Sequence, residues 1–219
     1  YLCYALQAIT NNGKTAATAG DVCKILTVFF NNKLNANGKN KDEKTNLYTS
    51  LQAITGGFKT KVAADDVCKI LKVFFDKKLD ANGENKWGAS HLLNAIEAIT
   101  KREKIAAAAD DVCKILTVFL NNKLKANGAN KHGITNLWEA LQAITTNFKT
   151  AATANDVGKI LTVFFKHGLH ANGSGKNTYG KEQSNLSLAL LVLSCGNVTA
   201  TETQTNLIKT LFKQYSHTV

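Results

Sequence analysis

The chain repeats itself every 45 residues, and this periodicity constrains the fold more than any other feature of the sequence. The phrase Asp-Val-Cys-Lys-Ile-Leu begins at Asp21, Asp66 and Asp111, and Asp-Val-Gly-Lys-Ile-Leu begins at Asp156. Two further phrases, Ala-Ile-Thr and Leu-x-Ala-Asn-Gly, recur in the same register. A period of about 20–50 residues is typical of stacked supersecondary units. The predicted units cover residues of about 1–45, 46–90, 91–135 and 136–172.

Each unit predicts a hairpin of two helices. The shorter helix follows a Ser or Thr N-cap, such as Thr45, whose hydroxyl can accept a free first-turn N–H. The longer helix carries apolar residues at i, i+3, i+4, i+7 and i+8 from Val22 onward. We expect the Asn37-Gly38 pair to end it, with the glycine in the left-handed conformation. The absence of proline suits uninterrupted helices. The predicted fold class is all-α, with about ten helices in tandem hairpins.

The C-terminal part departs from the strict period. Asn185-Leu186 corresponds to Asn136-Leu137 at a spacing of 49, which places four extra residues in the Gly-rich segment 173–184. We predict that this segment is a linker or hinge. Residues 185–219 then form a degenerate fifth hairpin that packs on the rest. The sequence leaves open whether the hairpins stack as an open solenoid or close into a compact bundle.

The sequence shows no pattern of catalytic chemistry. Metalloprotease, nucleophile-elbow, phosphate-loop and dinucleotide motifs are absent. The Asp65-Asp66 pair lies at a predicted helix start, where capping and the helix dipole explain carboxylates. His167 and His170 share a helix face but have no evident third metal ligand. We therefore expect no enzyme activity, no cofactor and no metal site.

The charge is strongly basic but spread along the chain. The formal net charge is +11, and Arg102 is the only arginine among 27 cationic residues. Arginine is the usual residue for reading phosphates and for stacking on bases. We therefore expect no specific nucleic-acid binding, and lysines that form a solvated helix face. No apolar stretch reaches the roughly 20 residues of a membrane span.

The cysteines and the glycosylation sequons indicate in which cellular compartment the protein is expected. Five cysteines leave at least one thiol unpaired in a monomer. Cys23 lies at the edge of the apolar face, where it is either a small core residue or the partner of Cys3 in a disulfide. Glycosylation sequons occur at Asn172, Asn185 and Asn197. They weakly support a secreted, extracellular protein, whose numbering would then start after signal cleavage.

Four copies of one amphipathic hairpin indicate that the function depends on a surface property to which every unit contributes. An apolar stripe of roughly 400–600 Å² gains on the order of 10–15 kcal/mol on moving from water to an air or oil boundary. A whole domain is typically stable by only about 5–15 kcal/mol. Several hairpins that swing apart together could therefore adsorb at an interface. The candidate interfacial residues are the core positions of the long helices: Val22, Ile25, Leu26, Phe29, Phe30, Val67, Ile70, Leu71, Phe74, Phe75, Val112, Ile115, Leu116, Phe119, Val157, Ile160, Leu161, Phe164 and Phe165.

A basic, all-helical chain of this length, built of repeated Leu/Ile/Phe-striped hairpins, resembles the surfactant proteins of frog foam nests, the ranaspumins, and in particular their larger single-chain type. The resemblance extends over the whole chain in size and character and includes no diagnostic motif. It implies a secreted foam protein that lowers surface tension as a monomer. Its partners would be the air–water interface and other foam proteins or glycans, and its functional residues the apolar helix faces.

Two functions of other classes stay open. A helical-repeat binding module would use a lysine-lined surface for an acidic partner. A lipid carrier would enclose a cavity among the phenylalanines.

Overall fold

The fold is all-α, as predicted. The computed structural model describes residues 1–101, 104–145, 149–196 and 198–216. The helices are α1 Leu2–Ile9, α2 Ala19–Asn31, α3 Asn46–Ile54, α4 Ala64–Asp76, α5 His91–Thr100, α6 Ala109–Asn121, α7 Asn136–Ala143, α8 Ala154–Lys166, α9 Asn185–Leu193 and α10 Glu202–Ser216. Two short strands, β1 Ser174–Lys176 and β2 Glu182–Ser184, lie between α8 and α9.

The helices are arranged in two rows. The short helices α1, α3, α5, α7 and α9 contact one another in that order, and so do the long helices α2, α4, α6, α8 and α10. The short and long helices of one hairpin also contact each other. The main contacts of each hairpin are therefore with its neighbours in sequence, which is the arrangement of an open stack and not of a closed bundle.

The predicted Ser/Thr N-caps of the short helices are confirmed. The hydroxyls of Thr45, Ser90, Thr135 and Ser184 each accept a backbone N–H three residues later. Among the long helices, α2 and α8 have the same cap, whereas α4 and α6 follow alanines without one. The caps satisfy free N–H groups at the helix starts and so define where each helix begins.

The prediction that Asn37-Gly38 ends the long helix is wrong. Helix α2 ends at Asn31, and the left-handed residue is Lys33, with φ of 65°. Gly38 has a different structural role. A Cβ at this position would lie 2.9 Å from Asn46 Nδ2 and 3.0 Å from the Asn35 carbonyl oxygen. The glycine therefore permits a close approach inside the loop that joins two units.

The Gly-rich segment 173–184 contains an antiparallel β-hairpin. In the three preceding inter-unit loops the corresponding pairing is a single β-bridge, as between Lys39 and Thr45. The four extra residues thus lengthen the two arms of the loop. Thr178 at its tip accepts a hydrogen bond from Trp138 Nε1 at 2.7 Å and donates one to Gln142 Oε1 at 3.0 Å. Hinge motion at this segment stays a prediction.

An asparagine in each of three inter-unit loops joins one unit to the next. Asn82 Nδ2 donates to the carbonyl oxygen of Lys123 at 3.0 Å, and its Oδ1 accepts the N–H of Lys125 at 2.9 Å. Asn37 and Asn127 make the same pair of bonds 45 residues earlier and later. Each bond pair connects two units at the end of a long helix.

We expect Asn82→Ala to lower the free energy of unfolding by about 1–2 kcal/mol, because two inter-unit hydrogen bonds are lost. Asn172→Ala is the matched control. Asn172 occupies the same loop position and is exposed, and its side chain makes no such bond to a described residue. Urea unfolding measures both variants, and equal effects would contradict a joining role for Asn82.

Candidate functional site: the apolar helix faces and their junctions

The structure brings the predicted interfacial residues together in one continuous core. In α4, α6 and α8 the side chains at the Val, Ile, Leu and first Phe positions are fully buried, as at Ile70 and Phe74. In α2, Val22 and Leu26 are fully buried, whereas Ile25 and Phe29 are half-buried. In the described structure the candidate faces are therefore core, as expected for the protein in solution.

Aromatic rings join successive long helices. Phe30 of α2 meets Phe74 of α4, and Phe75 of α4 meets Phe119 of α6, each in an edge-to-face pair with centroids 5.3 Å apart. Phe165 of α8 meets Phe212 of α10 in the same way at 5.1 Å. Such pairs add about 0.5–1.5 kcal/mol beyond their buried area. The apolar faces are thus covered mainly by neighbouring hairpins.

Exposed ion pairs cross the junctions between α4 and α6 and between α6 and α8. Lys114 Nζ lies 3.0 Å from Asp65 Oδ1, and Lys159 Nζ lies 2.8 Å from Asp110 Oδ1. These partners are 39–72% exposed, so each pair contributes little to stability. The acidic pairs of the sequence therefore serve helix starts and junctions.

Of the two alternatives for Cys23, the disulfide with Cys3 is not formed, since all five cysteines are free thiols. The two residues face different neighbours. Cys3 lines a groove with residues of α3, whereas Cys23 lies near Asp66 and Lys69 of α4. The alternative, a small residue packed at the core edge, describes Cys23, Cys68 and Cys113. Burial raises the pKa of the Cys113 thiol to about 11.

The three sequons differ in accessibility. Asn172 is exposed. Asn185 is 3% exposed, and its Nδ2 donates to the carbonyl oxygen of His170 at 2.9 Å. Asn46 and Asn136 make the equivalent bond in earlier loops, so Asn185 serves the fold of its loop. Asn197 lies outside the described residues. This geometry favours Asn172 over Asn185 as an acceptor.

A buried carboxyl group at one junction was not foreseen from the sequence. Glu139 of α7 is 4% exposed. Ser90 Oγ, at the start of α5, donates to Glu139 Oε2 at 2.6 Å, and Asn130 Nδ2 lies 3.5 Å from Oε1. Burial raises the pKa of this carboxyl to about 8, and the Glu97 and Glu84 carboxylates raise it as well. The Ser90 and Asn130 hydrogen bonds act in the opposite direction.

The repeat itself holds the signal that could have revealed Glu139. The equivalent residues in the two preceding units are Thr49 and Asn94, both buried. Asn94 is 1% exposed, and neither polar atom of its amide has a partner in the described part of the chain. A polar residue therefore recurs at the same core-facing position in three successive units. Thr49 and Glu139 are hydrogen-bonded there, whereas the unbonded amide of Asn94 opposes folding, because buried polar groups are costly unless they are bonded.

Neither metal chemistry nor a membrane span emerges from the described residues. Within residues 1–101, 104–145, 149–196 and 198–216, no three His, Cys, Asp or Glu side chains gather in a group that could hold a metal ion. His167 instead lies 3.2 Å from Asn121 Oδ1 through its Nε2. No helix in the same ranges combines the length and the apolar character that a membrane crossing requires.

We expect Glu139→Gln to stabilise the protein increasingly as the pH rises from about 4.5 to about 8. Over this range the unfolded chain releases the proton that the folded protein keeps, so the stability of the native protein falls by at most about 1.4 kcal/mol per pH unit. Above about pH 8 both states are ionised and the loss levels off. Glutamine removes this loss.

Denaturant unfolding between pH 4 and pH 9 measures the effect. Glu202→Gln, at an exposed position of α10, is the matched control and should leave the pH dependence of wild type unchanged. Parallel stability curves for wild type and Glu139→Gln would show that the buried carboxyl does not titrate abnormally.

Comparison with protein-family models and with curated proteins identifies no relative of the chain. No protein-family model matches the chain. No curated protein matches it either.

Proposed function

We propose that this protein is a secreted, surface-active protein that adsorbs at the air–water interface by exposing the apolar faces of its hairpins. The observation that carries the proposal is the nearest-neighbour packing of the hairpins. Each apolar face is covered mainly by the adjacent hairpin, so one junction can open while the others stay closed. Opening exposes apolar faces on helices whose backbone hydrogen bonds are internal and need not break.

Polar contacts at the junctions include the buried hydrogen bond from Ser90 to Glu139, and many of the others lie at the edges. The edge contacts include the asparagine bonds, single backbone bonds such as Ala17 N–H to the Ala53 carbonyl oxygen, and exposed ion pairs. Water can replace these contacts at small cost. The free energy gained when the apolar faces leave water at the air boundary then has to offset mainly the free energy of packing that is lost between the hairpins.

In this proposal the active form at the boundary is a monomer, and foam stabilisation is the biological outcome. Other foam proteins or glycans are its proposed partners. The resemblance to the foam-nest surfactants supports the same assignment through size, charge and helical repeats. The lack of a repeated catalytic constellation agrees with a property that is shared by all units.

A lipid carrier has less support. The cavities between long helices are open grooves, of about 450 Å³ between α4 and α6 and about 510 Å³ where α8 and α10 meet α6. Charged side chains such as Asp65, Lys69 and Asp110 line them. The phenylalanines of the candidate faces are packed against one another instead of surrounding an enclosed space.

Dynamic surface tension of a pendant drop tests the proposal. At micromolar concentration we expect a faster and larger drop in surface tension than an ordinary helical protein of similar size and charge produces. The rate of adsorption should depend on the stability of the junction between α5 and α7. Glu139→Gln should slow adsorption at pH 8, where it stabilises this junction most, and should match wild type near pH 5.

Glu202→Gln again serves as the matched control and should adsorb like wild type at both pH values. A surface tension no lower than that of the ordinary helical protein would overturn the proposed function. Slowing by Glu139→Gln that is equal at pH 5 and pH 8 would contradict opening at this junction.

A further inference from the structure

The inter-unit loops share one asparagine-centred turn and differ in the exposed side chain at its tip. In each loop an asparagine side-chain oxygen accepts two backbone N–H groups, those two and four residues later. This holds for Asn40, Asn85, Asn130 and Asn177. The residue two positions after the asparagine lies at the tip of the loop. In order along the chain, the tip residues are Asp42, Trp87, His132 and Tyr179.

Three consecutive loops therefore present a ring at the same position. Trp87 is 55% exposed and Tyr179 is 72% exposed, and His132 is exposed as well. Large exposed aromatic side chains are uncommon on a protein surface and are enriched in binding sites. We refer to Trp87, His132 and Tyr179 as the ring row.

Contacts between neighbouring loops hold the loops that carry the ring row in place. His132 Nε2 lies 2.9 Å from the Trp87 carbonyl oxygen. Gly88 has φ of 83°, and a Cβ there would lie 2.5 Å from the His132 ring, so only glycine admits this approach. The N–H of Lys176 donates to the Gly133 carbonyl oxygen at 3.1 Å, which ties the fourth loop to the third. The His132 ring and the backbones of the loops are thus preorganised, which lowers the entropic cost of binding.

Lysines surround the ring row. Lys86 Nζ lies 4.8 Å from the centroid of the Trp87 ring. Lys131 precedes His132, and Lys181 follows Tyr179 by two residues. The third loop, residues 122–135, contains three lysines and no acidic residue. Glu84 Oε2 accepts the N–H of Lys131 at 2.9 Å and keeps its negative charge, but segments 84–90, 129–135 and 174–184 together hold four lysines and two glutamates. The local field therefore favours anions.

We propose that the ring row and its lysines bind a linear anionic polysaccharide. Aromatic faces would stack on the apolar faces of sugar rings, and the lysine ammonium groups would pair with carboxylate or sulfate groups. The loops follow helices that pack about 8–10 Å apart, a spacing close to the length of a disaccharide. A regular polymer of alternating sugars could therefore meet the second and third loops at equivalent positions, and it would meet the fourth at the end of its longer hairpin.

A single-stranded nucleic acid is the other polymer with stacking rings and regular charge. The composition favours the polysaccharide, because arginine, the residue that pairs with phosphate bidentately and stacks on bases, occurs once in the chain. The proposal concerns the loops and does not depend on adsorption by the helix faces.

Titration with a chondroitin sulfate octasaccharide tests the proposal by calorimetry and tryptophan fluorescence. Of the two tryptophans, Trp87 is exposed, whereas Trp138 is buried and bonded to Thr178, so the part of the emission change that is lost in Trp87→Ala reports Trp87. We expect saturable binding at physiological salt. Trp87→Ala and Tyr179→Ala should each weaken it about tenfold, the effect of losing one stacked ring.

Tyr4→Ala is the matched control, because Tyr4 is 65% exposed on α1 and outside the inter-unit loops. It should leave affinity unchanged, and circular dichroism should show native helix content in all variants. Absence of binding would overturn the proposal. So would binding that the ring variants do not weaken, which would be simple ion exchange, or tighter ring-dependent binding of oligo(dT).

Discussion

The rest of the structure depends on one constraint: a helical hairpin with apolar residues on more than one side cannot bury them alone. Ile70 and Phe74 of α4 are fully buried, whereas Ile25 and Phe29, at the same positions of the first long helix, are half-buried. Successive phenylalanine pairs carry the packing from one hairpin to the next. Burial is therefore a property of the junctions, and stability is distributed among them.

The N-caps of the short helices, which recur from unit to unit in the sequence, were predicted well, because residues that recur at one position of the repeat have the same structural role. The N-caps at Thr45 and Ser90 follow from their hydroxyls and from the apolar stripe behind them. The prediction for the loop glycine was wrong, because α2 ends at Asn31 and Gly38 does not have the left-handed conformation. Gly38 is needed for proximity to Asn46, and that contact spans a loop whose shape the sequence pattern does not reveal.

Features that depend on contacts between units could not be predicted in the same way. The Cys3–Cys23 pairing assumed that two residues near one end of a hairpin face each other, whereas each faces a different helix of the next unit. Glu139 reads in the sequence as an exposed helical residue. The repeat gives an indirect signal, since Thr49 and Asn94 occupy the same position, but the raised pKa follows from its burial beside Ser90 and Asn130.

The helices and the loops divide the chain into a constant part and a variable part. The long-helix core positions are nearly the same in the four units, which suits a property that each unit contributes equally. The loop tips change from Asp42 to Trp87, His132 and Tyr179 on a constant asparagine-centred turn. Binding residues are found preferentially on loops held by a rigid scaffold. One stack can thus serve adsorption through its helices and recognition through its loops.

The central claim is that hairpins separate at an air–water boundary while their helices persist. Neutron reflectivity from an adsorbed layer, combined with circular dichroism of the same film, tests it most directly. The account predicts a protein layer about one helix diameter thick, on the order of 10 Å, with helix content close to that in solution. A layer as thick as two packed rows of helices, or a thin layer that has lost its helix content, would contradict it.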